Sequence, residues 1–174
     1  MPKLRKMLGD IRSQQCAGLM ALIQTQSKKT LASWAISYAQ QGCLGIFEET
    51  YPHITALRDG ISACEEYLEG KKKLPQVKPY LQNAAKAARE TVGPAEQAAA
   101  RAISAACAVI QTPTNALGFL FYYAAAAAYH TLGLECQPKD YDDFAAQELQ
   151  KALDSLRQAA VPQEEHPVNI QWNC

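Results

Sequence analysis

The groups in this chain that could do chemistry are three histidines, two clusters of carboxylates, six cysteines and one polar turn. His53, His130 and His166 are far apart, and none belongs to an HExxH, ExxH or Cys/His cluster whose spacing would gather metal ligands. His53 follows Pro52 and reads as a loop or capping residue, His130 as the polar end of an alanine-rich helix, and His166 as part of a tail. No GxSxG elbow, phosphate-cradling glycine loop or dinucleotide fingerprint occurs. Distant residues can still assemble a triad on folding. The sequence nominates no catalytic, metal-binding or cofactor-binding residue, so a non-enzymatic protein without a cofactor is expected.

Two acidic clusters carry different weight. Asp140, Asp142 and Asp143 fall at the start of a predicted last helix, where the macrodipole favours carboxylates. Glu65, Glu66 and Glu69 fall near the end of a predicted third helix, where the same dipole disfavours them. They are therefore candidates for an acidic face that docks a basic partner and steers its encounter, set against the plain alternative of a solvated helix face. The six cysteines, Cys16, Cys43, Cys64, Cys107, Cys136 and Cys174, form no CxxC pair, and several lie on apolar helix faces. They read as small buried hydrophobes in a reducing compartment, which points to the cytoplasm.

The polar turn Gln111, Thr112, Pro113, Thr114, Asn115 lies inside a stretch, residues 102–134, that contains no Asp, Glu, Lys or Arg. A segment so poor in charge belongs in the core, and the turn divides it into two helical arms. Thr114 or Asn115 is expected to cap the second arm while Pro113 fixes the turn. The rival reading makes Gln111, Thr112, Thr114 and Asn115, with Tyr122, the lining of a small polar pocket, since buried polar groups demand partners. Neither arm supplies the roughly 20 consecutive apolar residues of a bilayer span. The alanine runs on both sides give high helix propensity with little bulk, which lets neighbouring helices approach closely.

The elements around this hairpin follow from apolar periodicity and punctuation. Leu4, Met7, Leu8, Ile11, Leu19, Leu22 and Ile23, interrupted at Gly9 and Asp10, predict a short opening turn and a helix. A second helix, capped by Ser27 or Thr30, runs through Trp34 to Pro52 and should bury that tryptophan. Ile54, Leu57, Ile61, Cys64 and Leu68 mark a third, stopped at Gly70. After the basic loop Lys71 to Lys73, Pro75 and Pro79 suit the first turn of a fourth. Gly93 and Pro94 separate it from the hairpin, with Glu96 near the positive helix start. Gly133 and Pro138 bracket a loop before a last helix through Tyr141, Phe144, Leu149, Leu153 and Leu156, closed by Pro162. Alternating Val168, Ile170 and Trp172 suggest an extended arm laid over a hydrophobic groove.

The expected fold is all-α, a single domain over residues 1–174 with about six or seven helices around the central alanine-rich hairpin, a helical core over 1–160 and an extended tail over 161–174. Seventeen basic residues balance seventeen acidic ones, so no whole-molecule field favours nucleic acid or a membrane surface. The opening MPKLRKMLGDIRSQQ lacks the apolar run and cleavage site of a secretory signal.

MLGDIRSQQCAGLMALIQTQSKKTLASWAISYA, PQVKPYLQNAAKAAR, AAARAISAACAVIQTPTNALGFLFYYAAAAAY and the ending AVPQEEHPVNIQWNC together resemble the immunity-five-like branch of the immunity proteins of bacterial polymorphic toxin systems, over nearly the whole chain. The resemblance implies a small cytoplasmic all-α protein that protects its producer by binding a cognate toxin. Relatives often carry histidine around the central turn, where this chain has Gln111 and Asn115, which weakens any metal or acid-base role carried over from them. Two rivals stand beside this reading: a small-molecule-binding or hydrolytic helical protein using the polar turn, and a structural homo-oligomer burying leftover alanine-rich surface.

Overall fold

A computed structural model of the chain describes residues 3–173. Cys174 lies outside them. The α-helices are α1 (Gln14–Ile23), α2 (Lys28–Ala39), α3 (Gly45–Thr50), α4 (Ala56–Leu68), α5 (Leu74–Glu90), α6 (Pro94–Cys107), α7 (Asn115–Leu132) and α8 (Pro138–Ala159). A π turn over Gln40–Leu44 joins α2 to α3 without a break, and a 3-10 turn over Ala108–Ile110 extends α6. The described residues therefore form seven helical rods and no strand, an all-α bundle.

The starts and stops have local causes. Ser13 and Ser27 cap α1 and α2, each side chain accepting from a backbone N–H of the first turn, which satisfies one of the amides that a helix start leaves open. Pro75, Pro94 and Pro138 occupy first-turn positions of α5, α6 and α8, where a missing N–H costs nothing. Pro79, expected in a first turn, lies inside α5 instead. Gly70 and Gly93 take positive φ of 80° and 106° at helix junctions, a conformation in which a Cβ is strained. Thr114 stands at the start of α7, but its side chain makes no capping bond, and the turn is held by backbone bonds such as Ala116 N–H to Pro113 O at 2.9 Å.

The hairpin α6–α7 is the centre. Helix α6 packs against α2, α3, α4, α5 and α7, while α7 also meets α1, α2 and α8. Alanines at 98, 99, 100, 102 and 106 on α6, and at 124, 125, 126 and 128 on α7, are buried, so their small side chains let surrounding helices close in. Bulk comes mostly from outside the hairpin, where Leu31, Phe47, Leu57 and Leu156 are fully buried, joined by Ile103 and Phe119 of the hairpin itself. One buried cluster draws on all eight helices. Trp34 is 7% exposed, as expected, and Cys16, Cys43, Cys64 and Cys107 are buried in the same cluster while Cys136 is half-buried.

Beyond α8 the chain turns at Pro162 and Gln163 and bends at Glu165 and His166, where Gln163 and His166 take positive φ of 51° and 58°, so the tail expected to be extended over 161–174 is extended only from Pro167 onward. Val168, Ile170 and Trp172 turn inward onto the core and Asn169, Gln171 and Asn173 outward, the alternation that the arm requires. It is pinned at the α1–α2 junction. Val168 N–H donates to Gln26 O at 2.9 Å, and the buried Gln26 side chain clasps Val161 on both sides, accepting from its N–H at 2.8 Å and donating to its O at 3.1 Å. Glu164 accepts from Ser27 N–H at 2.9 Å, from Ser27 Oγ at 2.7 Å and from the Thr30 hydroxyl.

Candidate functional site

The carboxylates at the end of α4 are largely answered by the loop that follows them. Glu69 pairs with Lys71 at 2.7 Å and Glu66 with Lys72 at 3.3 Å, so the basic loop that follows Gly70 folds back on the carboxylates. Glu65 is exposed and carries no ion pair among the described residues. The second acidic cluster is engaged at home. Asp140 accepts from Gln137 N–H at 3.1 Å, Asp142 pairs with Arg5 at 2.7 Å and Asp143 with Lys139 at 2.6 Å.

The polar turn lies at the outer end of the hairpin. Gln111, Thr112 and Thr114 are exposed and Asn115 is half-buried, so their amides and hydroxyls are met by water and need not be satisfied in the core. Tyr122 is not brought to them. Seven residues along a helix is about 10 Å, and Tyr122 lines a different hollow with Arg89, Arg101 and Ser104, where the Arg101 guanidinium stands 6.0 Å from its ring. The three histidines are all exposed and dispersed.

What the structure does gather is a face along α2. Lys29, Ser33, Ser37 and Gln41 recur every four residues and are all exposed, forming one stripe at helical period. Hollows open on both sides of it. One, of about 510 Å³, runs between α2 and α8 and is lined by Ser33, Trp34, Ser37, Tyr38, Gln41 and Ser155, with Trp34 Nε1 donating to Ser155 Oγ at 3.0 Å. A second, of about 240 Å³, lies between α2 and α4 and includes Ser33, Ser37, Glu65, Leu68 and Glu69. A third, of about 510 Å³, lies at the starts of α2 and α5, and shares Lys29 with the first and Leu68 with the second. The small serines of the stripe separate these recesses without filling them.

Behind the stripe an aromatic zipper fixes α2 to α7. Trp34 meets Phe119 edge-on at 5.5 Å and Tyr38 lies 4.7 Å from Tyr123, pairs four residues apart on both helices. The π turn makes this approach fit, because a Cβ on Gly42 would stand 2.0 Å from the Tyr123 hydroxyl. Burial pushes the Tyr38 phenol up to about 12, and the carboxylate of Glu148, itself only 9% exposed, adds to the rise. Burial likewise raises Tyr123, with the neighbouring Tyr38, Cys43 and Glu148 contributing, and raises the Cys43 thiol, with Glu148 again contributing. These groups stay neutral at physiological pH, and Tyr38 among them, together with Trp34, faces the first hollow.

The π turn and its glycine left no trace in the apolar period, since Gly42 is explained only by a tyrosine on another helix. Lys28 and Lys29 do leave a sign in the sequence, since two cations in the first turn of a helix oppose its dipole. No helix among the described residues is long and apolar enough to cross a membrane. No curated protein and no solved structure matches the chain. The sequence profile of the family described as Imm-5 like putative immunity protein matches residues 21–159, from the end of α1 through α8, with the opening segment and the arm outside the match. It takes in the whole α2 face and the hairpin behind it. The chain belongs to the Imm-5 like putative immunity protein family.

Proposed function

We propose that this protein is an immunity factor that binds a cognate protein toxin with the exposed face of α2 and the recesses on either side, and so protects the cell that makes both. The observation that carries the placement is that three hollows adjoin along one helix stripe. Adjoining recesses on a rigid wall offer the pockets into which a partner's anchoring side chains fit, and such anchors supply most of an interface's energy. Glu65 and Glu69 on the α4 side would meet basic groups of the toxin, with Glu65 the more available of the two. The aromatic zipper gives this face a preformed shape, which limits the ordering cost of association.

The test is co-expression with the toxin encoded beside it. The wild-type chain should restore growth, and Ser33→Arg with Ser37→Arg, which fill the recesses from an exposed stripe, should abolish both rescue and co-purification while leaving the helical circular dichroism signal and melting temperature near wild type. Rescue by the double variant at the wild-type level would remove the α2 face from the interface. Failure of the wild type to bind or rescue against every neighbouring toxin candidate would count against the immunity role itself.

A further inference from the structure

The third hollow has a chemistry of its own. Lys28 and Lys29 enter it from the first turn of α2, and Lys72 and Lys73 from the residues just before α5. Its floor is apolar, made by Tyr67 and Leu68 at the end of α4, Leu74 at the start of α5 and the buried Ile110 after α6. No carboxylate lines it. Lys72 reaches Glu66 at 3.3 Å, whereas Lys28, Lys29 and Lys73 have no ion pair among the described residues.

The lysines and the two helix starts favour an anion here, and they outnumber what opposes it, the carbonyl end of α4 at Tyr67 and Leu68 and the Glu66 carboxylate beside Lys72. Neither α2 nor α5 has an acidic residue in its first turn, so the partial positive charge of the α5 start adds in full to the lysines, and that of the α2 start adds in part. The one carboxylate at the start of α2, Glu164 of the arm, is engaged by Ser27 and Thr30 and makes no ion pair with Lys28 or Lys29. Three uncompensated cations, Lys28, Lys29 and Lys73, with Lys72 shared with Glu66, repel one another around an apolar floor in the free protein. Seating negative charge among them relieves that repulsion, and the floor rewards an apolar group delivered at the same time.

We propose that this hollow takes an acidic segment of the protein partner, one that places an apolar side chain on the Tyr67, Leu68, Leu74 and Ile110 floor and carboxylates among Lys28, Lys29, Lys72 and Lys73. A protein segment suits it better than a small anion because the recess continues through Lys29 and Leu68 into the two hollows beside the α2 stripe. The proposal rests on the partner-binding reading above and names the chemistry of the partner at one point of that face.

The experiment uses the full chain and a fluorescent peptide in which leucine and phenylalanine alternate with aspartate, followed by fluorescence polarisation. Two control peptides replace aspartate by asparagine, or the apolar residues by alanine, and decanoate serves as a small amphiphilic anion. The acidic apolar peptide should bind at least about tenfold more tightly than either control, weaken as salt is raised, and lose about tenfold or more in the Lys28→Glu, Lys73→Glu double variant. Both positions are exposed, and acids there suit the helix starts, so the variant should melt no lower than wild type. Equal binding of the asparagine peptide, unchanged binding by the double variant, or binding of decanoate without the peptide would overturn the proposal. The two readings fail separately. A toxin that binds wild type and double variant alike sinks the lysine site and leaves the immunity role, whereas peptide binding without any toxin partner does the reverse.

Discussion

Gly42 is the residue on which the contact between α2 and α7 depends, because Tyr123 occupies the space where any other side chain would begin. Gly42→Ala should cost about 1–3 kcal/mol through forced displacement of the ring or the π turn, read as a lower urea midpoint with an unchanged slope. A midpoint equal to wild type would mean that the zipper tolerates slack. The tyrosines beside it set a pH limit. Tyr38 titrates at about 12 when folded against 10.0 when free, so the unfolded chain loses this proton first as pH rises. Its stabilising contribution is complete below pH 10 and falls away as pH climbs towards 12. Tyr38→Phe should flatten the loss of stability over that window in alkaline denaturation curves, and an unchanged slope would contradict the burial that raises the phenol.

At the scale of elements, the arm is held by one glutamine clasp and one carboxylate cap. Burial pushes the Glu164 carboxyl up, and the bonds from the Ser27 and Thr30 side chains and the Ser27 amide together outweigh it, leaving the pKa below its ordinary 4.5. Its contribution is therefore present above pH 4.5 and is lost as pH falls through the lowered folded value. Acidification through that range should release the arm before the bundle unfolds, seen as a red shift of fluorescence that disappears in Trp172→Phe; Glu164→Gln should release it at neutral pH. Cooperative loss of the arm with the bundle would contradict this order. Gln26→Ala, which removes the clasp on the exposed Val161 backbone, should cost about 0.5–1.5 kcal/mol in urea denaturation.

The elements themselves were legible because their causes are local. Ser27 as a cap, Gly70 and Gly93 as stops and the charge-free hairpin each depend on a few neighbouring residues. The inward alternation of Val168, Ile170 and Trp172 was also visible. What anchors the arm was not, since Gln26 and Glu164 owe their roles to residues 135 and 137 positions away. The lysine-rimmed hollow is likewise invisible in the sequence, because its residues come from separate elements. Lys28 and Lys73 become neighbours only when the starts of α2 and α5 are brought together over Ile110. The acidic corner was found, but its pairing with Lys71 and Lys72 reflects a loop that doubles back after Gly70, which composition does not encode.

For the molecule as a whole, an alanine-rich hairpin wrapped on its flanks by the other helices leaves the outer surfaces of those helices for the toxin binding proposed above. Around α2 that surface combines a polar stripe with two small serines, Ser33 and Ser37, an aromatic wall, one open carboxylate at Glu65 of α4 and a lysine-rimmed apolar recess. Net charge is zero, so this local pattern, and not a global field, would set which partner is accepted. Hydrogen–deuterium exchange of the protein alone and with its toxin tests this most directly. Slowed exchange should concentrate in residues 28–41 and 65–74, whereas protection confined to α8 or the arm, or no change anywhere in the presence of the toxin, would contradict the assignment of α2 as the binding face.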